Sequence, residues 1–206
     1  MKRIAALTFL LLVPLVCSAS DAAPGDISAV ATDNLEIKSA IVRYKQAGKN
    51  SNTKLVVYID GNKKAAETFN EEGQRIRLEF FDGSDSYQVF LLDNAAVKLD
   101  DPQGLLSSYY FLSEPNKDNF LKNDVFLDKE CNVYQMPSGI YYFWKGIMLK
   151  REFNLAFSLI TGAENIEINV PIPKDKFVLP AGVNFVTLKE AMHLEVNRVS
   201  KELLKQ

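Results

Sequence analysis

Histidine and tryptophan each occur once in this chain and cysteine twice, and these scarcities remove whole classes of chemistry before any residue is placed. The one histidine, His193, sits among helix formers and away from any candidate nucleophile, so no serine–histidine or cysteine–histidine arrangement is signalled. The Gly-x-Ser-x-Gly elbow of hydrolases and the glycine-rich loops that cradle phosphates are both missing. One histidine and one remote cysteine, Cys131, give no zinc spacing, and Asp82-Gly83-Ser84-Asp85 lacks the alternating acids and closing glutamate of a calcium loop. That run reads as a hairpin turn. Asp100-Asp101 and the trio Asp124, Asp128 and Glu130 lie in polar, turn-like sequence and read as solvated carboxylates. The sequence therefore assigns no catalytic residue, no metal ligand and no cofactor, and the expectation is a protein that is not an enzyme.

Basic excess is also lacking: 24 lysines and arginines face 26 aspartates and glutamates. A nucleic-acid partner is not expected from such a balance. Long apolar runs are reduced to a single one, Ile4 to Val16, interrupted by Pro14. At about thirteen residues it is shorter than the roughly twenty a membrane helix needs. Preceded by Lys2 and Arg3 and followed by Ser18, Ala19 and Ser20, it has the three-part build of a signal peptide over residues 1–20, with cleavage fitting best after Ala19 or Ala22. Lipid anchoring at Cys17 is disfavoured by Val16, where such a signal needs Gly, Ala or Ser. The expectation is an exported chain that is not an integral membrane protein, with residues 21–206 as one domain, since about 184 residues suit one sizeable core. Loss of Cys17 would leave Cys131 alone, so no internal disulfide forms and packing must supply stability. A lone cysteine of this kind usually serves as a small buried hydrophobe.

What the chain does contain is short, β-rich segments between turn signals. Ala47-Gly48, Asp60-Gly61-Asn62, Glu72-Gly73, Asp82-Gly83-Ser84, Asp93-Asn94 and Pro137-Ser138-Gly139 recur at hairpin spacing. Between them the reading places strands at Ile37 to Lys45, Lys54 to Asp60, Lys64 to Asn70, Arg75 to Phe81, Ser86 to Leu92 and Ala95 to Leu99, an antiparallel meander. Helical spacing of Leu105, Leu106, Tyr109, Tyr110 and Leu112 predicts a short helix, followed by an irregular polar stretch to Asn123. Strands resume at Val125 to Leu127, Glu130 to Gln135, Ile140 to Trp144 and Ile147 to Phe153, and Ile166 to Val170 is a half-wet strand confined to an edge or a strand end by Pro171 and Pro173. Thr187 and Glu190 form a capping box for a helix over 187–205, whose stripe of Leu188, Met192, Val196, Val199 and Leu203 needs a surface to cover it. Its own sheet is the simplest cover. A membrane surface fits poorly, since Glu195 and Glu202 share the polar face with Lys189, Arg198 and Lys201.

The segment from Gly139 to Lys150 is the most informative. Ile140, Tyr142 and Trp144 alternate with Tyr141 and Phe143, so both faces of that strand are apolar, and so are both faces of the Tyr87–Leu92 stretch. Something must cover the second face, either a packed element or an apolar guest.

Taken in order, Glu130-Cys131-Asn132-Val133-Tyr134, Tyr142 through Lys150 with its Trp144-Lys145-Gly146-Ile147 element, Asn169-Val170-Pro171-Ile172-Pro173 and Phe177 through Val183 resemble exported bacterial proteins of the outer-membrane lipoprotein-carrier (LolA-like) superfamily. Within it the likeness is greatest to an uncharacterised branch known only as a domain of unknown function. The resemblance implies a mainly β fold with some α, an unclosed antiparallel half-barrel covered by short helices, located in the periplasm. It also implies a role in shielding acyl chains, or in envelope-stress sensing on the same fold. An acyl chain of about fifteen methylenes gains roughly 12 kcal/mol on leaving water, more than a flat patch can shelter. The reading that follows is a carrier or binder of lipid or of an acylated protein, with a cavity lined by Tyr87, Val89, Leu91, Tyr142, Trp144 and Leu149. Its alternative is a sensory or interaction module of the same fold, filled by its own side chains and partnered by another envelope protein.

Overall fold

The computed structural model describes residues 37–48, 51–100, 115–153 and 160–203. Within them β1 (Ser39–Gly48), β2 (Ser51–Asp60), β3 (Lys63–Phe69), β4 (Arg75–Phe81), β5 (Ser86–Phe90) and β6 (Ala95–Leu99) form one meander. A second consists of β7 (Phe120–Phe126), β8 (Lys129–Met136), β9 (Gly139–Trp144), β10 (Ile147–Phe153) and β11 (Ile160–Ile168). The two join where β1 pairs antiparallel with β11, and the two-residue β12 (Asn184–Phe185) adds to β6 in parallel. The result is one open sheet of twelve strands in the order β12-β6-β5-β4-β3-β2-β1-β11-β10-β9-β8-β7. It is an unclosed, mainly antiparallel sheet with a C-terminal helix, α1 (Leu188–Leu203), as expected. The helix expected at Leu105 to Leu112 lies outside the described residues.

Turn chemistry sets the registers. Lys145 and Gly146 both take positive φ, 47° and 78°, between the paired residues Trp144 and Ile147, the conformation that lets a two-residue loop follow the twist of its strands. Leu127 and Asp128 do the same at 50° and 54° between Phe126 and Lys129. Neither is glycine, so the sequence carries no turn signal here, and β7 extends back to Phe120, beyond the strand expected at Val125 to Leu127. The half-wet strand ending near Pro171 is β11; it sits inside the sheet, and the prolines act at its end rather than at an edge. Tyr44 spans the seam between the two meanders, donating its hydroxyl to the Met148 carbonyl on β10 at 2.5 Å. Burial raises the Tyr44 phenol, against the pull of Arg151, so it stays a neutral donor.

Unbroken registers across β1 to β3 put Ala40, Val42, Tyr44, Leu55, Val57, Ile59 and Ala66 on one face, and these belong to a core that runs on to Ile147, Leu149, Cys131 and Ala163. The opposite face of the first meander carries Tyr58, Ala65, Leu78, Phe80, Val89 and Ala96. An open sheet with two apolar faces needs a layer on each. On the first meander both layers come from the C-terminal quarter of the chain: a proline-bearing segment, residues 170–183, covers one face, and α1 covers the other near β6.

Candidate functional site

The six residues predicted to line a cavity fall into two groups. Tyr87, Val89 and Leu91 lie on the face built by Leu78, Phe80 and Ala96, as the partners Leu78↔Val89, Phe80↔Tyr87 and Val89↔Ala96 require. Over that face lies the segment 170–183, with Phe177 buried and Ile172, Leu179 and Val183 packed beside it. Phe80 and Tyr87 stack at 5.0 Å between centroids. The second apolar face of this stretch is thus covered by the protein's own chain.

An ionic anchor holds the segment down. Glu67 on β3 is 2% exposed. It accepts hydrogen bonds from Arg75 Nη1 at 2.6 Å, Tyr58 Oη at 2.8 Å and Lys176 Nζ at 3.0 and 3.2 Å. Lys176 belongs to the segment, and its ammonium lies 5.0 Å from the Tyr58 ring centre. Burial pushes the Glu67 carboxyl up, but the hydrogen bonds from Arg75, Tyr58 and Lys176 together outweigh it and hold the group below the ordinary carboxylate range. Nothing in the sequence pattern marked Glu67, because a carboxylate in an alternating strand reads as solvent-facing. Its partners come from neighbouring strands, Tyr58 and Arg75, and from Lys176, 109 positions away.

Tyr142, Trp144 and Leu149 form the other group. Leu149 is fully buried in the large core, whereas Tyr142 and Trp144 sit half-buried at its margin with Phe81, Phe126 and Ile166. Ammonium groups stand over these rings: Lys150 at 4.9 Å from Tyr142 and 5.6 Å from Phe126, Lys129 at 5.1 Å and Lys145 at 5.8 Å from Trp144. Each such contact favours the cation over the ring face. The alternate residues of β9, Tyr141 and Phe143, are the more buried side and pack with Tyr134 and Met148. The two groups of predicted residues belong to different clusters, so the structure does not bring all six to one place.

On the face opposite Glu67, α1 docks by an unexpected side. Thr187 and Glu190 make the capping box, with Glu190 N–H donating to Thr187 Oγ1 at 3.2 Å and Thr187 N–H to Glu190 Oε2 at 2.8 Å. Ala191 is the helix residue buried against Phe90, Ala95 and Val97, and Arg77 on β4 donates to Glu195 at 3.0 and 3.2 Å while lying 5.2 Å from the Phe90 ring. Leu188, Met192 and Val196, the expected packing stripe, are instead 47%, 41% and 46% exposed. A buried alanine and an ion pair draw that side to the sheet and turn the stripe outward. Val199 and Leu203 lie outside the residues whose side chains are described.

Among the described residues no three His, Cys, Asp or Glu side chains come close enough to hold a metal ion, and no helix is long and apolar enough to cross a membrane. Cys131 is 1% exposed, and burial raises its thiol, leaving little thiolate at neutral pH. A described open pocket of about 300 Å³ is lined by Lys45, Thr53, Lys54 and Glu71.

No family model and no curated protein matches the chain. Among solved structures, an uncharacterized conserved protein from Thermus thermophilus is similar at a TM-score of 0.52 and 9% identity, over 74% of this chain and 91% of that one. PNGF-II is similar at 0.50 and 13% identity over 76% of this chain, which spans about a third of PNGF-II's length. A LolA superfamily protein from Nitrosomonas europaea matches over 70% of this chain and 91% of its own length, at 11% identity and a TM-score of 0.36. A LolA superfamily protein is thus among the solved structures matched, and the narrower likeness to one uncharacterised branch has no matching family model behind it. Identities this low bear on fold alone, and the loosest superposition adds nothing to what the strand order already establishes.

Proposed function

We propose that this protein is an exported, periplasmic, non-enzymatic binder of lipid or of the acyl chains of an acylated protein. The observation that carries the reading is the row of half-buried rings, Phe126, Tyr142 and Trp144, flanking a fully buried core and overlaid by Lys129, Lys145 and Lys150. Half-open aromatic surface offers an acyl chain contact, at about 0.8 kcal/mol per methylene removed from water. Lys129 and Lys145 beside it suit an anionic headgroup, while Lys150 is paired with Glu152 at 2.5 Å. Tyr142, Trp144 and Leu149 supply the floor in this reading, and Tyr87, Val89 and Leu91 are reached when the segment 170–183 lifts from them.

Trp144, the sole tryptophan, gives a direct assay. Titration with a long-chain fatty acid or an anionic phospholipid should shift or quench its emission, and organic extraction of the purified protein should release a co-purifying lipid detectable by mass spectrometry. Tyr142→Ala should weaken the titration. No extracted lipid together with an unchanged Trp144 emission refutes the reading.

A second reading has its own support. The face at Tyr87 and Val89 is filled by Phe177, Ile172, Leu179 and Val183, and α1 leaves Leu188, Met192 and Val196 exposed. Both features suit a sensory or interaction module of the same fold with an envelope protein as partner. Met192→Asp and Val196→Asp separate the two readings: they should abolish partner capture under this one and leave lipid titration intact under the first.

A further inference from the structure

β7 runs Phe120-Leu121-Lys122-Asn123-Asp124-Val125-Phe126 and ends the strand order, so its outer edge has no backbone partner among the described residues. Phe120, Leu121 and Val125 on it are 46%, 50% and 64% exposed. An exposed apolar edge is a template for another strand unless charges or bulges block it. Here Lys122 and a bulge between Phe120 and Lys122 turn away strands in general and leave room for a partner short enough to pair beyond the bulge and charged to answer Lys122.

The hairpin turn fixes which backbone groups face outward. Phe126 and Lys129 flank the two-residue turn as register partners, and such a flanking pair exchanges both of its hydrogen bonds. Phe126, Asp124 and Lys122 therefore direct their N–H and C=O toward β8, and Val125 and Asn123 direct theirs to the free edge. The Val125 N–H agrees in direction: its acceptor is Asp124 Oδ1 at 2.9 Å, a side chain that a backbone carbonyl of a pairing strand would replace.

Charge then selects one partner and one register. In a twofold antiparallel pairing of β7 with its own copy, centring on Lys122 or on Asp124 sets like charges opposite each other. Centring on Asn123 sets Lys122 opposite Asp124 of the second copy, twice, and Leu121 opposite Val125, twice. The same register makes Asn123 an outward-facing pair at the axis, which the hairpin geometry demands. Lys122 and Asp124 already pair at 2.6 Å within the strand, with side chains 54% and 37% exposed, so the copy would complete an alternating ring of four charges.

We propose that β7 is a homodimer interface, pairing antiparallel with β7 of a second copy about a twofold axis at Asn123 and joining two sheets edge to edge. Sedimentation velocity across a concentration series is the test. The wild-type protein should show a concentration-dependent dimer. Lys122→Asp alone and Asp124→Lys alone should each weaken it by at least about tenfold, since like charges across a strand pair repel. An equimolar mixture of those two variants should recover the dimer, because every contact between copies is then opposite in charge although each strand carries a like-charged pair of its own. Asn123→Cys should give a symmetric disulfide under mild oxidation, as facing residues about 5.5 Å apart at Cα lie inside the disulfide range. A wild-type chain that stays monomeric throughout the series overturns the proposal. So does a dimer that the single variants leave intact, that the mixture fails to restore, or that Asn123→Cys does not cross-link.

Discussion

Replacing Glu67 by Gln tests whether the anchor of segment 170–183 is electrostatic or incidental. The carboxylate is 2% exposed and receives Tyr58, Arg75 and Lys176. Breaking a buried pair costs about 3–5 kcal/mol when the abandoned charge has no access to water. That is not the case here: the Arg75 side chain is 40% exposed and that of Lys176 18%, so both cations rehydrate and the Arg75 contribution is largely screened. Gln still accepts from Tyr58. What remains is chiefly the charge-assisted bond to Lys176, giving an expected loss of about 2 kcal/mol at pH 7. The pH dependence gives the sharper check. Glu67 titrates lower in the folded protein than its ordinary value of 4.5, so its stabilisation is complete above that value and is lost as the pH falls through the lower folded one. The gap between wild type and variant, measured by urea unfolding, should hold from pH 7 to about 4.5 and then close, because below the folded value both side chains are neutral. A difference that does not change with pH, or one under about 0.5 kcal/mol at pH 7, would refute the anchoring argument.

Other outcomes follow from the same geometry. Gly139→Ala should cost about 3 kcal/mol or more: φ is +153°, and a Cβ there would lie 2.0 Å from the Glu152 carbonyl oxygen; a loss below about 1 kcal/mol in denaturant unfolding would mean that β9 and β10 can part there. Glu79, buried on the opposite face from Glu67, behaves in the reverse sense, since burial raises its carboxyl despite Arg77 and the 2.8 Å bond from Gln88. The wild type therefore loses stability as the pH climbs above the ordinary 4.5, and Glu79→Gln should be neutral or up to about 1 kcal/mol stabilising at pH 7, with no gain below pH 4.5; a clear destabilisation at pH 7 would contradict this. Phe177→Ala, at a buried position of the covering segment, should cost about 3 kcal/mol. It should also raise uptake of a hydrophobic dye at the Tyr87 and Val89 face; unchanged uptake would mean that the face closes over the gap.

Legibility in the sequence followed the range of the interactions. Strands β4, β6 and β10 were placed at both ends from alternation and turn residues, because their limits are set by neighbours a few positions away. The capping box of α1 was legible for the same reason. β7 is hidden over most of its length, since Lys122, Asn123 and Asp124 interrupt any apolar alternation and its turn uses Leu127 and Asp128 rather than glycine. The helix stripe was visible, but its direction was not: Ala191 and the Arg77–Glu195 pair decide it, and Arg77 lies 118 positions from Glu195. Likewise alternation identified Tyr87 and Val89 as needing cover, yet could not say that the cover would be Phe177 and its neighbours.

The distribution of cover bears directly on the two functional readings. The first meander is closed on both faces by elements from one stretch of chain, each tied by an ion pair: Lys176 of the segment meets Glu67 on β3, and Glu195 of the helix meets Arg77 on β4. The second meander relies more on itself, with Tyr134, Tyr141 and Phe143 packed ring to ring on one side of β9 and Tyr142 and Trp144 left half-open on the other. A guest that must displace existing packing forfeits what it gains from burial, and at the Tyr87 face it would have to remove Phe177 and break the Lys176 anchor first. At Tyr142 and Trp144 it would displace water and reposition lysine stems, which lie on aromatic surface at little cost. Any apolar ligand should therefore enter at β9 before it reaches β5, and a Trp144 response that precedes release of segment 170–183 is the order of events this arrangement requires.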